Sequence, residues 1–171
     1  SSMKFKIYIC FSIFFSSISC FAQQNSEWGT WDKLVGTWKG EYSGQLGKGG
    51  GVFTFAYDLN TGILIKKGRY EFPATAQNAA LSIEDVLVIY PEGNKQCPKA
   101  IYFDNNGHTV HYTTEQTDSS VTLISEKLKN KPYYKITYTL APQNSVDIST
   151  EISKDGIQYT PYLITRSRRT K

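Results

Sequence analysis

The sequence has few of the residues that cross-link a protein, charge its surface or carry it through a membrane. It has 171 residues, of which three are cysteine and two are histidine, and charged residues make up 20%. Its longest apolar run, Ile7 to Ile18, is shorter than the roughly 20 residues that a membrane-spanning helix needs. The net charge of +4 is small, which argues against nucleic-acid binding. We therefore expect neither a disulfide-stapled scaffold nor a membrane span, and no nucleic-acid partner.

The beginning of the chain has the pattern of a secretory signal peptide. Lys4 and Lys6 precede the apolar run, and Cys20 and Ala22 occupy the two small positions of an A-x-A-like exit. We expect residues 1–22 to be a signal peptide that is cleaved after Ala22.

Cleavage at this point leaves residues 23–171, a length that suits one domain. We expect a mature protein that starts at Gln23 and is exported, periplasmic or secreted if the host is bacterial. A lipoprotein signal that acylates Cys20 is the less favoured alternative, because Ser17 stands where such signals usually have a leucine-like residue. Cys97 remains as a single thiol, so the mature chain forms no internal disulfide.

The hydrophobic period changes once along the chain. Trp28, Trp31 and Leu34 recur at helical spacing, which predicts one short helix over 25–35 that ends at Gly36. Short runs of Val, Ile, Thr, Tyr and Phe follow, separated by turn residues. The predicted strands are 36–43, 51–59, 62–72, 81–90, 99–104, 107–116, 120–127, 133–141, 145–153 and 157–168.

The gaps between these strands are too short for crossover helices, so neighbouring strands should pair antiparallel. A closed up-and-down barrel leaves no exposed strand edges, whereas an open sheet leaves two. We therefore predict an all-β, about ten-stranded antiparallel barrel with the short helix closing one end, and keep a two-sheet sandwich as the alternative. A barrel of more than about eight strands is too wide for its own side chains to fill, which predicts a cavity.

The segment "LVGTWKGEY" places Trp38 between Gly36 and Gly40 on the first predicted strand. A short helix followed by Gly-x-Trp resembles the lipocalin and calycin barrels. This resemblance implies that the tryptophan lies at the closed end and that an arginine of the last strand covers its ring, as a cation–π contact would. Among the arginines of the last strand we expect Arg166 to do so, because it shares the parity of Tyr162.

Two later segments, 87–112 and 134–153, resemble lipocalin-like domains of uncharacterised function that are akin to the nitrobindin-type barrels. Nitrobindin-type haem barrels ligate iron through a histidine late in the chain. Here the histidines are His108 and His111, and none follows Tyr112. We therefore expect no haem and no other cofactor.

Strand alternation indicates which side chains face the interior. The expected inward set combines tyrosine hydroxyls, one imidazole and one guanidinium among apolar rings, a mixture typical of small-molecule sites. The predicted ligand-binding residues are Trp38, Tyr57, Tyr70, His108, Tyr112, Tyr138, Tyr162 and Arg166.

No catalytic or metal-binding constellation is visible in the sequence. His108 and His111 fall on opposite faces of a strand and cannot share a metal ion. Glu84 and Asp85 are likewise sent to opposite faces, which argues against a paired acid–base site. The segment "GQLGKGGG", 44–51, lacks the Ser/Thr and the following helix of a phosphate-binding loop, so we interpret it as a flexible loop at the barrel mouth.

These observations favour an exported barrel that binds a small, mostly apolar ligand and catalyses no reaction. Two alternatives remain open. The first is an enzyme that uses the cavity for isomerase or cyclase chemistry, and the second is an envelope interaction or inhibitor module that acts through its loops. The sequence leaves monomer and homodimer equally open.

Overall fold

The computed structural model describes residues 27–127 and 129–170. Ten strands form one closed antiparallel barrel, in which every strand pairs with its neighbours in the chain and the last strand pairs with the first. This confirms the predicted barrel and excludes the sandwich. The strands are β1 Gly36–Gly44, β2 Gly47–Asp58, β3 Ile63–Phe72, β4 Leu81–Tyr90, β5 Lys99–Asp104, β6 Thr109–Gln116, β7 Ser120–Ser125, β8 Tyr133–Ala141, β9 Ser145–Ser153 and β10 Thr160–Arg169.

A 3-10 helix, Gly29–Leu34, precedes β1 and is shorter than the predicted helix over 25–35, whose first two residues lie outside the described residues. Its Thr30 hydroxyl donates a hydrogen bond to the carbonyl of Thr117 between β6 and β7. Trp28, just before it, donates to the carbonyl of Thr61 between β2 and β3. These contacts fix the 3-10 helix across the turns at one end of the barrel. The described residues contain no helix long and apolar enough to cross a bilayer.

The barrel interior is filled by aromatic rings in the half next to the 3-10 helix. Trp31, Trp38, Phe53 and Phe55 are at most 1% exposed, and the ring centres of Trp31 and Phe55 are 6.4 Å apart. Inward residues of ten strands cannot all meet at the barrel axis, so large rings are needed to fill it. The opposite half is lined rather than filled, and this difference positions the cavity.

The glycine-rich segment is a strand and not the loop that the sequence suggested. Only Gln45 and Leu46 separate β1 from β2. A Cβ at Gly51 would overlap the Tyr70 ring of β3, and a Cβ at Gly49 would overlap that of Phe72. The glycines therefore let two aromatic rings lie against the β2 backbone, which a side-chain-bearing strand would prevent.

The last strand also differs from its prediction, because β10 begins at Thr160 and its register on β9 shifts between Pro161 and Leu163. A bulge of this kind moves every later side chain to the other face. As a result Thr165 and Ser167 are buried.

Candidate ligand-binding cavity

A cavity of about 290 Å³ occupies the barrel half away from the 3-10 helix. This space is many times the roughly 10–15 Å³ that a single water molecule needs, so it is not a packing defect. Its rim is formed near the turns by residues that include Leu46, Asn106 and Lys131. Its wall is mainly apolar and aromatic, contributed by Tyr42, Tyr70, Phe72, Leu81, Ile83, Leu87, Tyr102, Val110, Tyr112, Tyr134, Ile136, Tyr138, Ile148, Tyr162 and Leu163.

The floor of the cavity is the top of the aromatic core. The Tyr138 ring lies 5.6 Å from Phe55 and 6.2 Å from Phe53, centre to centre, and both contacts are edge-on. Such edge contacts are the preferred arrangement of aromatic pairs. The floor is therefore held by tight packing and gives the cavity a fixed depth.

A buried ion pair lies in the cavity wall. The Lys66 ammonium donates hydrogen bonds of 2.9 and 2.7 Å to the two carboxylate oxygens of Asp85, and each side chain is 7% exposed. The ammonium also lies 5.1 Å from the centre of the Tyr70 ring. Both charges are thus matched within the protein, which is the condition for keeping them away from water.

The geometry of β3 and β4 brings these two side chains together. Lys66 shares its face of β3 with Leu64 and Tyr70, and Asp85 pairs across the strands with Gly68. A Cβ on Gly68 would lie on both the Tyr70 hydroxyl and the Asp85 carboxylate. The glycine therefore provides the space in which the carboxylate sits.

The protonation states follow from burial and pairing. Burial by itself lowers the pKa of the Lys66 ammonium. Tyr70, Tyr138 and the Asp85 carboxylate raise that pKa, and together they hold it well above its ordinary value. Burial also raises the pKa of the Tyr70, Tyr112 and Tyr138 phenols. At neutral pH the cavity thus presents an ammonium that is not a nucleophile and phenols that keep their protons.

Three of these phenols have unused hydrogen-bonding capacity. Within residues 27–127 and 129–170, no protein group hydrogen-bonds to the hydroxyls of Tyr70, Tyr112 or Tyr138, although the three residues are at most 7% exposed and line the cavity. A hydroxyl that faces a cavity without a protein partner is free to hydrogen-bond to water or to a ligand. These hydroxyls are therefore hydrogen-bonding groups that the cavity offers to a ligand.

A second polar group lies at the mouth. One Asp104 carboxylate oxygen accepts hydrogen bonds from the backbone N–H groups of Asn106 and His108, and the other lies 2.8 Å from Nδ1 of the His108 ring. The Tyr102 hydroxyl donates to that second oxygen at 3.2 Å. Burial alone would raise the pKa of Asp104, but the hydrogen bonds from His108 outweigh it and lower that pKa.

Five of the eight predicted site residues line the cavity: Tyr70, His108, Tyr112, Tyr138 and Tyr162. Tyr162 does so together with the adjacent Leu163, because the β10 bulge turns two successive residues inward. Two others face inward in the filled half, where Trp38 is buried and Tyr57 packs against Trp28 with ring centres 6.1 Å apart. Trp38 and Tyr57 do not reach the cavity.

The prediction for Arg166 is wrong. Its side chain is 63% exposed on the outside of the barrel and forms a bidentate ion pair with Asp147 of β9 at 2.6 and 2.7 Å. The bulge before it reverses the parity that placed it inside. Arg169 takes the position over Trp38 instead, with the guanidinium carbon 4.2 Å from the ring centre.

The sequence reasoning missed Lys66, Asp85 and Asp104. Strand alternation could have identified the first two as inward-facing. Lys66 lies on the same face of β3 as Leu64, and Asp85 lies on the same face of β4 as Leu87. Glu84 and Asp85 lie on opposite faces of β4, as alternation predicts, and the partner of Asp85 lies on the neighbouring strand β3. Asp104 ends the predicted strand 99–104, and the turn that follows it brings the His108 N–H and ring to its carboxylate.

Comparison with known proteins identifies the architecture. No family model matches the chain, and a search of curated proteins finds no match. The crystal structure of Rv2717c from M. tuberculosis is similar with a TM-score of 0.58 at 12% identity, over 83% of this chain and 96% of that one. An S-type phycobiliprotein lyase, CPES from Guillardia theta, is similar with a TM-score of 0.51 at 11% identity, over 82% and 90%. At these identities the likeness concerns the fold alone, and that fold is a lipocalin- and calycin-like barrel.

Proposed function

We propose that the barrel binds a small, mostly apolar ligand in its central cavity. The observation that carries the proposal is the cavity of about 290 Å³, with aromatic walls and three tyrosine hydroxyls that have no protein partner within the described residues. Small-molecule sites combine an apolar lining with a few polar groups in this way. The ligand-binding residues in this proposal are Tyr70, His108, Tyr112, Tyr138 and Tyr162, with Lys66 and Asp85 added.

Binding of a neutral apolar fluorophore, N-phenyl-1-naphthylamine, tests the proposal. We expect saturable binding of one fluorophore per barrel at micromolar concentration, with enhanced probe emission and quenched tryptophan emission. Ile136→Trp places a large ring in the cavity wall, and it should abolish probe binding. Thr139→Trp is the matched control on the same strand, because Thr139 is exposed outside the barrel and its replacement should leave binding unchanged. A wild-type protein that does not bind the probe would contradict the proposal.

A second candidate is an enzyme that uses the same cavity. The observation that favours it is the histidine at the mouth, which a buried carboxylate orients through a 2.8 Å contact. An orienting carboxylate is a common partner of a histidine that moves protons. The test is deuterium exchange at the methyl group of 2-acetylnaphthalene in D₂O, followed by NMR. Exchange that the protein accelerates, and that His108→Gln abolishes, would favour the enzyme. Equal exchange rates with and without the protein would rule out this second candidate function.

Export is part of the proposal and rests on the signal-peptide pattern of residues 1–22, which lie outside the described residues. Expression in a bacterial host with measurement of the intact mass tests it. We expect a mature chain that begins at Gln23 and is released in soluble form. A mass that includes a diacylglycerol on Cys20 would replace release by membrane anchoring.

A further inference from the structure

The deep part of the cavity carries no net charge. Lys66 and Asp85 lie side by side in its wall, and each Asp85 oxygen accepts a hydrogen bond from the ammonium. The carboxylate of Asp104, nearer the mouth, is likewise occupied by backbone N–H groups, the His108 ring and the Tyr102 hydroxyl. The cavity therefore offers no unmatched charge in its deep part to a ligand.

This balance sets the charge of a suitable ligand. An anion placed beside Lys66 would also lie beside the Asp85 carboxylate, only 2.7 Å from the ammonium nitrogen. A cation would meet the opposite difficulty. Because an unpaired charge is expensive to remove from water, a charged ligand would lose more hydration than the pair returns. A neutral ligand avoids this cost.

The free hydroxyls set the polarity of that neutral ligand. Tyr70, Tyr112 and Tyr138 keep their protons at neutral pH and donate no hydrogen bond to any group in the described part of the chain. A donor without a partner is best satisfied by an acceptor such as a carbonyl oxygen. The flat rings around them favour a ring-shaped partner, since aromatic pairs pack edge-on or offset.

We propose that the ligand is a compact, uncharged ring compound with a carbonyl-type acceptor, which the tyrosine hydroxyls of the cavity bind while the Lys66–Asp85 pair rejects anionic analogues. This inference rests on the proposed function, since it names the class of molecule that the same cavity selects. It separates the deep part of this cavity, where the cation is paired, from carriers that hold a carboxylate with an unpaired cation.

Three naphthalenes of nearly equal size test the inference by calorimetric titration: 2-acetylnaphthalene, 2-ethylnaphthalene and 2-naphthoate. We expect the ketone to bind tightest. Loss of the acceptor in the ethyl compound should weaken binding about three- to tenfold, the value of one hydrogen bond. The carboxylate should bind more than about tenfold more weakly than the ketone, because it buries an unmatched charge.

Variants assign the selectivity to the named residues. Tyr112→Phe and Tyr138→Phe should remove the preference for the ketone over the ethyl compound while leaving the affinity for the ethyl compound unchanged. Tyr57→Phe is the control, because Tyr57 faces the filled half and does not line the cavity. Asp85→Asn leaves the Lys66 charge unmatched, and it should raise the affinity for 2-naphthoate about tenfold or more. If Asp85→Asn does not fold, the tyrosine variants still test whether the hydroxyls bind the carbonyl acceptor of the ligand.

The outcomes separate the inference from the proposed function. Equal affinities for the ketone and the ethyl compound would overturn the claim that the ligand carries a carbonyl-type acceptor. Tightest binding of 2-naphthoate to the unmodified protein would overturn the claim that the cavity rejects anions. In both cases the barrel still binds a ligand, so the proposed function survives. If neither N-phenyl-1-naphthylamine nor any of the three compounds binds, the proposed function fails and the inference fails with it.

Discussion

The guanidinium carbon of Arg169 lies 4.2 Å from the ring centre of Trp38, and the two residues pair directly across the seam where β10 meets β1. The same guanidinium donates hydrogen bonds to the carbonyls of Lys33 and Val35. The Trp38 indole N–H in turn donates to the carbonyl of Leu34 at 2.8 Å. The 3-10 helix, the first strand and the last strand are therefore joined at one point.

Loss of this contact should destabilise the barrel. Trp38→Ala removes a large ring from a close-packed site and should lower the free energy of unfolding by about 3–5 kcal/mol. Arg169→Ala should cost about 2 kcal/mol, from the cation–π contact and its hydrogen bonds. The double variant should lose less than the sum, because the residues touch. Urea unfolding measures all three, with Arg168→Ala as a control of unchanged stability, because that side chain is exposed on the same strand. Strictly additive losses would show that the two side chains are not coupled.

The fold could be predicted from the sequence because its signals are local. Turn residues separate strands of alternating polarity. The number of these strands predicts a sheet that closes into a barrel and so leaves no free edges. The arginine that covers Trp38 could not be predicted in the same way. One extra residue at Pro161–Leu163 exchanges the inner and outer faces of Arg166 and its neighbours. The Lys66–Asp85 pair was missed for a different reason: a charged residue in phase with apolar ones is assigned to the core only when its partner on another strand is known.

The buried ion pair should be replaceable only as a unit. Lys66→Met leaves the Asp85 carboxylate buried without its cation and should cost about 3–5 kcal/mol. The double variant Lys66→Met/Asp85→Leu removes both charges at similar volume and should recover most of this loss. Thermal unfolding at a fixed pH compares them. A double variant as unstable as the single one would show that the pair stabilises the barrel by more than mutual neutralisation.

The glycine opposite Asp85 should not tolerate a side chain. Gly68→Ala would force a methyl group onto the Tyr70 hydroxyl and the Asp85 carboxylate, and we expect it to cost about 1–3 kcal/mol. Gly50→Ala on β2 is the control, because the nearest atom to its added Cβ is 3.8 Å away. Chemical unfolding of both variants gives the comparison. Equal stability of the two would contradict the placement of the carboxylate in the space at Gly68.

Stability should decrease at alkaline pH. The folded state raises the pKa of Lys66 and of the buried phenols of Tyr70, Tyr112 and Tyr138. Above the ordinary values, 10.0 for tyrosine and 10.5 for lysine, the unfolded chain loses these protons first, so their contribution is complete at neutral pH and is lost as pH rises. Each group adds a slope of up to about 1.4 kcal/mol per pH unit. Urea unfolding between pH 8 and about 11 measures it, and constant stability over that range would contradict the burial of these protonated groups.

The central claim is that a ligand occupies the cavity, and NMR tests it most directly. With N-phenyl-1-naphthylamine bound, intermolecular nuclear Overhauser effects should connect the probe to the rings of Tyr112 and Tyr138 on the cavity wall. They should not reach Leu59, which is 71% exposed in the turn between β2 and β3 at the other end of the barrel, or Ile164, which is 53% exposed on the outer face of β10. Contacts confined to such exposed side chains, or no saturable binding at all, would contradict the account.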